Sequence, residues 1–444
     1  MPLSSPVPIR SGPPAPTRRR LLQATVLSGA TLLVGGTTAC TEEPTDPANE
    51  RVELSVFWWG GKERATLTER ALALYSRRHP SVTFRLTWQG ETGYYDRLAT
   101  QTMGGNAPDL FQIDDGHLSE YAHRRIVLDL TDFVADGRID LRNLPPSLVQ
   151  YGRIGGRTVA VAAAGNTPGL IYNRSLLRRL KLPEPHIGMS YDEFFRWIGT
   201  VGRRSEGRVA GTMDPSGDYR ALWLWLRTHG RELYHGRQVG FTVDDLTRWL
   251  DMWQSARSNR TAPGPVVVRA TDEPDPARQP IVSGRVATVF AWADELPELQ
   301  RHTGDELAVI SYPGAPEAHW ARASMYWAGF HGTRHPQTVA DVIDFLTNET
   351  EVGRVLGAER GLNANLNIRR VVEQSLTDQG MKRVAAFENA MSSRFGPAPV
   401  PPPKGHGRVR ALLATTAESA RSGQQTSRGA AIQFIARANA ALVS

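Results

Sequence analysis

The sequence predicts an α/β protein, because strand-like and helix-like segments alternate along the chain. Residues 52–59 (VELSVFWW), 81–89 and 107–114 are rich in β-branched and aromatic residues, which favours strands. Between them, 62–80 and 94–105 have helical character. A strand–helix–strand–helix–strand order predicts a parallel sheet covered by helices, with a ligand site at the carboxyl ends of its strands.

The same alternation continues through the rest of the 444-residue chain. Residues 158–173 form a strand, an irregular crossing and a second short apolar run, and 285–292 and 307–314 are further strands. Residues 191–258 are mostly helical, and 335–349 form another helix. Single cores stop growing at roughly 250 to 300 residues, so we expect two domains.

The net charge of +7 does not indicate a nucleic-acid partner. Four arginines lie in the first 39 residues, which contain no acidic residue, and the remainder has 48 basic against 45 acidic residues. The arginines are spread along the whole chain rather than clustered. We therefore expect no nucleic-acid binding.

Residues 1–39 have the features of a signal peptide. "TRRRLLQATVLSGATLLVGGTTAC" (17–40) has a basic start, a weakly apolar stretch and small residues before Cys40. The stretch is shorter than the roughly 20 residues that span a bilayer. Its arginine pair resembles a twin-arginine export signal. Its end resembles a lipoprotein site, although Thr37 stands where leucine or valine is usual.

Cys40 is the only cysteine in the sequence, so no internal disulfide can form. Its position directly after the apolar stretch favours lipid attachment, with 40–51 as a solvated tether. An unused thiol and an intermolecular bridge are the alternatives. We expect a lipoprotein on the outer face of the cell membrane.

Five stretches occur in an order typical of one protein family. They are "SVFWWGGKER", "YYDRLATQTMGGNAPDLFQID", "LIYNRSLLRRLKLPEP" with "SYDEFFRWI", "IVSGRVATVF" and "HPQTVADVIDFLTNETEVGRVLGAERGLNANLNIR". Together they resemble the extracellular solute-binding proteins of ATP-binding-cassette (ABC) importers, specifically the sugar-binding group (family 1). "GGNAPDLFQID" is the most specific stretch, and the resemblance covers most of residues 52–370.

The resemblance implies a two-lobed periplasmic-binding-protein-like fold (Venus flytrap). Two α/β lobes are joined by two or three crossing strands and close on a ligand by a hinge. We expect the first lobe at 52–162 plus 288–335 and the second at 163–287 plus 336–444. The resemblance also implies a carbohydrate ligand, ABC-transporter permease partners, no cofactor and no enzymatic activity.

A sugar has a face of C–H groups and a rim of hydroxyls, so its site needs flat apolar surfaces bordered by hydrogen-bonding groups. Tryptophan supplies such a surface and an N–H donor, whereas carboxylates, amides and arginines supply the rim. The aromatic candidates are Trp58, Trp59, Trp223, Trp292, Tyr326 and Trp327. The polar candidates are Glu63, Glu91, Asp114, Asp115, Asp294, Asn363 and Arg369.

Several candidates have a structural alternative. Trp58 and Trp59 point to opposite sides of a strand, so one of them is expected in the core. Trp223 and Trp225 lie on different faces of one helix, and Trp223, nearer its start, is the better candidate. Asp114 alternatively caps the following helix.

Catalysis is the main alternative to binding. Paired carboxylates facing a sugar also describe a glycoside hydrolase, but no spacing marks an acid and a nucleophile. The patterns GxSxG and HExxH are absent, and the eleven histidines lack metal-ligand spacing. Among other ligands, the abundant arginines leave uronate oligomers open, and peptides and polyamines are further alternatives.

Overall fold

The computed structural model describes residues 51–264, 267–268 and 275–443. The predicted signal peptide (1–39), Cys40 and the tether up to residue 50 lie outside these described residues. The strands are β1 (Val52–Trp59), β2 (Val82–Gln89), β3 (Leu110–Ile113), β4 (Arg153–Ile154), β5 (Arg157–Thr158), β6 (Val161–Gly165), β7 (Pro168–Asn173), β8 (Tyr234–His235), β9 (Gln238–Val239), β10 (Thr288–Trp292), β11 (Leu307–Ser311), β12 (Ala323–Gly329) and β13 (Leu362–Asn363).

Helices connect most of these strands, as the alternating pattern predicts. They are α1 (Lys62–Arg78), α2 (Tyr94–Met103), α3 (Asp115–His123), α4 (Thr131–Ala135), α5 (Pro146–Tyr151), α6 (Arg174–Leu180), α7 (Tyr191–Arg204), α8 (Tyr219–Thr228), α9 (Val243–Ser258), α10 (Leu296–Arg301), α11 (Pro336–Asn348), α12 (Thr350–Leu356), α13 (Leu366–Ser375), α14 (Gln379–Ser392), α15 (His406–Arg421) and α16 (Ser427–Val443).

Two sheets organise the described chain. A six-stranded sheet has the order β13–β6–β12–β3–β1–β2, and a three-stranded sheet has the order β10–β7–β11. β1 is parallel to both β2 and β3, which confirms the parallel arrangement predicted for residues 52–114. β12 runs antiparallel to β3 and β6, so the larger sheet is mixed.

Each sheet is the centre of one lobe. Lobe one is the part built on the six-stranded sheet, residues 52–165 and 323–375. Lobe two is the part built on the three-stranded sheet, residues 168–311 and 379–443. In the described chain the lobes are joined by three connections, residues 166–167, 312–322 and 376–378.

The sheets require a correction of the predicted lobe boundaries, 52–162 plus 288–335 and 163–287 plus 336–444. β10 and β11 pair with β7, not with the first sheet. Conversely, α11 packs on β6 and β12, and α12 packs on α1. The chain changes lobe through connections as short as two residues, which have no signal in the composition.

Strand alternation separates the two tryptophans at the end of β1. Trp58 is 0% exposed and lies in the core of lobe one. Trp59 is half-buried, with its ring 5.1 Å from that of Tyr94 and 5.9 Å from that of Tyr95. A side chain at the next residue, Gly60, would collide with Arg64, so glycine permits the turn into α1.

Candidate functional site

The candidate site lies where the two sheets approach each other. In lobe one, β1, β3 and β6 end at one edge, and β12 begins there because it is antiparallel to β3 and β6. In lobe two, β7 begins and β10 ends at one edge, where Trp292 pairs with Pro168. Only two residues separate β6 from β7, so the two edges are adjacent. Ligands of open α/β sheets bind at such an edge.

Lobe one contributes an aromatic surface and a carboxylate to this boundary. The rings of Tyr95 and His117 stack with centroids 3.5 Å apart, and Trp59 packs beside Tyr95. His117 Nδ1 lies 2.8 Å from Asp114 Oδ1, and the Asp114 N–H donates to the Tyr95 hydroxyl at 2.8 Å. These contacts hold the aromatic surface in one geometry.

The helix-capping alternative predicted for Asp114 is confirmed, and its contact with a ligand stays a prediction. Asp114 is the N-cap of α3 and accepts the His117 backbone N–H at 2.9 Å. Burial alone would raise its pKa, but the hydrogen bonds and charge of His117, together with nearby Arg410, hold the pKa of Asp114 below its ordinary value. Asp114 is therefore an anion beside the cleft.

Trp292, at the end of β10, is half-buried and lies between lobes. The guanidinium carbons of Arg220 and Arg322 are each 4.8 Å from its ring centroid, within the range of cation–π attraction. Asp218 binds Arg220 with both oxygens, at 3.0 and 2.8 Å, and Asp115 accepts from Arg322 Nε at 2.7 Å. We call these five residues the arginine–tryptophan cluster.

Tyr219 and α15 extend this cluster on the lobe-two side. Arg322 donates to the Tyr219 hydroxyl at 2.9 Å, and the Arg410 guanidinium carbon lies 4.5 Å from the Tyr219 ring centroid. Within the described residues Arg410 forms no direct ion pair. His406 Nδ1 lies 2.6 Å from the Tyr234 hydroxyl. Burial, reinforced by Arg410 and Arg322, lowers the pKa of His406 well below its ordinary value, so its imidazole is neutral.

A cavity of about 710 Å³ adjoins this site and spans the two lobes. Glu63 and Arg64 at the start of α1 line one wall, and Asp294 and Glu295 after β10 line another. Arg64 is held by Glu359, with Nε 2.7 Å from Oε2. The cavity is thus bordered by charged side chains from both lobes.

Five predicted residues at strand ends meet at the boundary between the lobes, and Glu63, on the wall of the cavity, is a sixth. Trp59 and Asp114 belong to the lobe-one surface, Asp115 and Trp292 to the arginine–tryptophan cluster, and Asp294 to the cavity wall. Their common feature is a position at or just after the carboxyl end of a strand, which is the property that made them candidates.

Four predicted aromatic residues are enclosed instead. Trp58, Trp223, Tyr326 and Trp327 are each at most 1% exposed. Trp223 lies on the buried side of α8 and donates its indole N–H to Glu232 at 2.8 Å. An enclosed ring offers no face to a ligand, so the prediction that these residues form sugar platforms is corrected.

Three predicted polar residues are also used elsewhere. Asn363 and Arg369 are buried within lobe one, where Arg369 Nε donates to the Asn363 carbonyl at 3.0 Å. Glu91 is exposed in the turn between β2 and α2. Glu63, by contrast, is exposed on the wall of the interlobe cavity.

Sequence reasoning missed several residues that the structure brings to the boundary. They are Tyr95, His117, Tyr219, Arg220, Arg322, His406 and Arg410. One signal was available for Tyr219 and Arg220, because they follow the N-cap Asp218 at the start of α8, and helix N-termini are common ligand-binding positions.

The described residues contain neither a metal-binding cluster nor a membrane-spanning helix. No group of three or more His, Cys, Asp or Glu side chains there has a geometry that could hold a metal ion. None of the helices in that part of the chain has the length and apolarity needed to cross a membrane.

Comparison with known proteins defines the class. Residues 59–352 match the family model of the bacterial extracellular solute-binding proteins, and the chain belongs to this family. The family resemblance predicted from the five stretches is thereby confirmed. Members of this family are binding proteins.

Solved structures with the same two-lobed fold are similar over nearly their whole length. A family 1 extracellular solute-binding protein from Alicyclobacillus acidocaldarius has 24% identity and a TM-score of 0.72, covering 89% of this chain and 99% of its own. A periplasmic oligogalacturonide-binding protein from Yersinia enterocolitica, in complex with saturated digalacturonic acid, has 18% identity and a TM-score of 0.72, covering 88% and 98%. An ABC-transporter solute-binding protein from Thermotoga lettingae, bound with α-D-tagatose, has 14% identity and a TM-score of 0.70, covering 88% and 99%.

The carboxyl of Asp294 allows a test of the electrostatics at the boundary. Burial, followed by the negative charge of Glu295, raises the pKa of Asp294 from 3.8 to about 7. Between these values the folded state holds a proton that the unfolded chain has lost, so stability falls as the pH rises through this window. We expect Asp294→Asn to raise the melting temperature by an amount that grows from about pH 4 to about pH 7 and then levels off.

The measurement is the melting temperature of both proteins as a function of pH. Asp251→Asn is the matched control, because Asp251 is exposed on α9 and the change removes the same charge. A difference for Asp294→Asn that stays constant across this range would contradict the raised pKa of Asp294.

Proposed function

We propose that this protein captures a carbohydrate outside the cytoplasm and delivers it to the permease of an ABC importer. The observation that carries the proposal is the half-buried Trp292 ring between the lobes, flanked by Arg220 and Arg322. The ring supplies a flat surface for the C–H face of a sugar. The guanidinium groups and their carboxylate partners supply donors and acceptors for its hydroxyls.

A second aromatic surface on the opposite lobe supports the same ligand class. Trp59 and Tyr95 lie on lobe one, and the stacked His117 adds a polar edge to them. A sugar held between this surface and Trp292 would contact both lobes at once. Such a ligand favours the closed arrangement by the contacts that it gains only there.

Capture and delivery follow from closure. A permease distinguishes loaded from empty binding protein if closing creates a surface that the open form lacks. A lipid at Cys40 would keep the protein at the outer face of the membrane, where the permease lies. Residues 40–51 would then act as a tether between the lipid and the folded part of the chain.

Uronate oligomers are the second candidate ligand. Arg410 contacts the Tyr219 ring and forms no direct ion pair in the described chain. A ligand carboxylate near Arg410 would gain a charge-assisted hydrogen bond. The similar structure that holds digalacturonic acid is compatible with this alternative.

A thermal-shift screen with neutral and acidic mono-, di- and oligosaccharides tests the function directly. A ligand at a hundredfold excess over its Kd stabilises the folded state by about 2.7 kcal/mol. We expect at least one sugar to raise the melting temperature and then to bind in calorimetry. The absence of a shift with every sugar, alongside a shift with peptides or polyamines, would contradict the carbohydrate proposal.

Two variants then locate the site. Trp292→Ala should weaken the binding of that sugar by about tenfold or more, as is usual for a tryptophan at the centre of an interface. Arg220→Gln should also weaken it. Arg138→Gln is the matched control, because Arg138 forms an equally close two-oxygen pair with Asp341 on the exposed surface of lobe one. Equal losses for Arg220→Gln and Arg138→Gln would rule out a local role for Arg220.

The anchor has its own test. We expect Cys40→Ser to move the exported protein from the membrane fraction to the medium, because serine has no thiol for the lipid. Immunoblots of both fractions measure this, with the wild-type protein as the control. Unchanged membrane association of Cys40→Ser would contradict lipid attachment at this residue.

A further inference from the structure

Four buried polar groups near the Asp115–Arg322 ion pair have no hydrogen-bond partner. They are the hydroxyls of Tyr151 and Tyr326, the indole N–H of Trp320 and Nε2 of His406. Each of these residues is at most 4% exposed. Buried polar groups in folded proteins are almost always paired, so a group of unpaired ones at one place requires an explanation.

Contacts and electrostatics place these groups around the ion pair. Tyr326 pairs with Ile113, two residues before Asp115, and lies on β12, which begins directly after Arg322. Burial raises the pKa of Tyr151 and that of Tyr326 well above the ordinary value, and Asp115 and Arg322 both act on these pKa values. Trp320 lies two residues before Arg322, and its ring stacks on that of Tyr151 with centroids 6.4 Å apart. Both tyrosines are thus protonated hydroxyls next to the pair.

The remaining group approaches from lobe two. The His406 ring lies 5.2 Å from that of Tyr219, and Tyr219 accepts a hydrogen bond from Arg322. Nδ1 of His406 is engaged by Tyr234, which leaves Nε2 as the unpaired atom. We call Asp115, Arg322 and the four residues with unpaired groups the ion-pair subsite.

The subsite is built from both lobes and from the connection between them. Asp115, Tyr151 and Tyr326 belong to lobe one, on α3, α5 and β12. His406 belongs to lobe two, and Trp320 and Arg322 lie in the connection 312–322. The unpaired groups therefore come from both lobes and from the connection that joins them. Burying polar groups without a partner is unfavourable, so a ligand that pairs with them would stabilise this arrangement of the lobes.

We propose that the ion-pair subsite receives the hydroxyl groups of an uncharged sugar and discriminates against uronates; this inference rests on the proposed function. A hydroxyl donates and accepts, so it can pair with the Trp320 N–H, with either tyrosine hydroxyl and with either tautomer of His406. It also has a proton to donate to the carboxylate of Asp115. A hydroxyl group can therefore form a hydrogen bond with each of these polar groups of the subsite.

A carboxylate matches the subsite poorly. It has no proton for Asp115, and its charge is repelled by Asp115 at short range. The positive charge of Arg322 is already balanced by Asp115, whose Oδ2 lies 2.7 Å from Arg322 Nε. An added buried anion would lack a counter-charge, which is costly in a dry site. A uronate could still bind through Arg410. The experiment below distinguishes rejection of uronates by the subsite from their binding at Arg410.

The first experiment compares matched ligands on the wild-type protein by calorimetry. Neutral oligosaccharides of several linkages, including galactobiose and maltose, are paired with the uronates that have a carboxylate in place of each C6 hydroxymethyl group. We expect the tightest ligand to be neutral and its matched uronate to bind at least about tenfold more weakly. A uronate that binds tighter than, or within about threefold of, its neutral partner would overturn the inference and leave carbohydrate binding intact.

Failure of the proposed function is distinguishable from this outcome. If neither neutral sugars nor uronates bind, carbohydrate binding itself is contradicted, and the inference falls with it. If neutral sugars bind and the matched uronates do not, the result supports both the proposed function and the inference about the ion-pair subsite.

The second experiment removes one unpaired hydroxyl. Tyr326→Phe should weaken neutral-sugar binding by about threefold to tenfold, the usual effect of one hydrogen bond, and should leave the ligand-free protein equally stable or more stable. A purely structural hydroxyl would change stability without changing affinity. Tyr151→Phe is the second variant and should behave in the same way.

Tyr191→Phe is the matched control. The Tyr191 hydroxyl is also buried and unpaired, but Tyr191 lies on α7 among the rings of Phe195 and Trp249. We expect it to leave the sugar affinity unchanged. Unchanged affinity in both Tyr326→Phe and Tyr151→Phe would show that the sugar does not bind these hydroxyls, and would overturn the inference.

Discussion

The buried ion pair between Asp115 and Arg322 is the interaction on which the boundary between the lobes depends. It joins the first residue of α3 to the residue before β12, across 207 positions of sequence. Burying two charges is costly unless further hydrogen bonds complete them. Arg322 meets this requirement by donating to Tyr219 of lobe two and by lying over Trp292. The pair thus fixes elements of both lobes around one point.

Under the proposed function, this arrangement would couple binding to closure. The aromatic surface of Trp59, Tyr95 and His117 belongs to lobe one, whereas Trp292 and Arg220 belong to lobe two. A ligand between them changes the equilibrium only through contacts that differ between open and closed states. Shifting a two-state equilibrium from 1:99 to 99:1 takes about a 10⁴-fold preference for one state. Unpaired polar groups that a ligand satisfies only on closure add to such a preference.

The sequence was informative where structure is local. The alternation of strands and helices gave the parallel part of the first sheet, and period-two alternation gave one buried and one partly exposed tryptophan at the end of β1. Asp114, Asp115 and Trp292 could be predicted to lie at the boundary between the lobes, because each stands at or just after the end of a predicted strand. The position of a strand end depends only on nearby residues.

It failed where the structure depends on distant partners. No local pattern distinguishes Arg322 from the other arginines, since its role arises from Asp115, far away in the sequence. The enclosure of Trp223 depends on how α8 packs against the Trp320 ring, 4.8 Å away. The lobe boundaries were displaced because the chain crosses at 166–167 without a change in composition. In each case the missing information was three-dimensional proximity rather than residue type.

The most direct test of the account is a crystal structure of the protein with the neutral sugar that binds most tightly. We expect a sugar ring stacked on Trp292, with hydroxyls within hydrogen-bond distance of Asp115 and Arg322 and with contacts to both lobes. Sugar density bound to one lobe only, away from Trp292 and the ion pair, would contradict it.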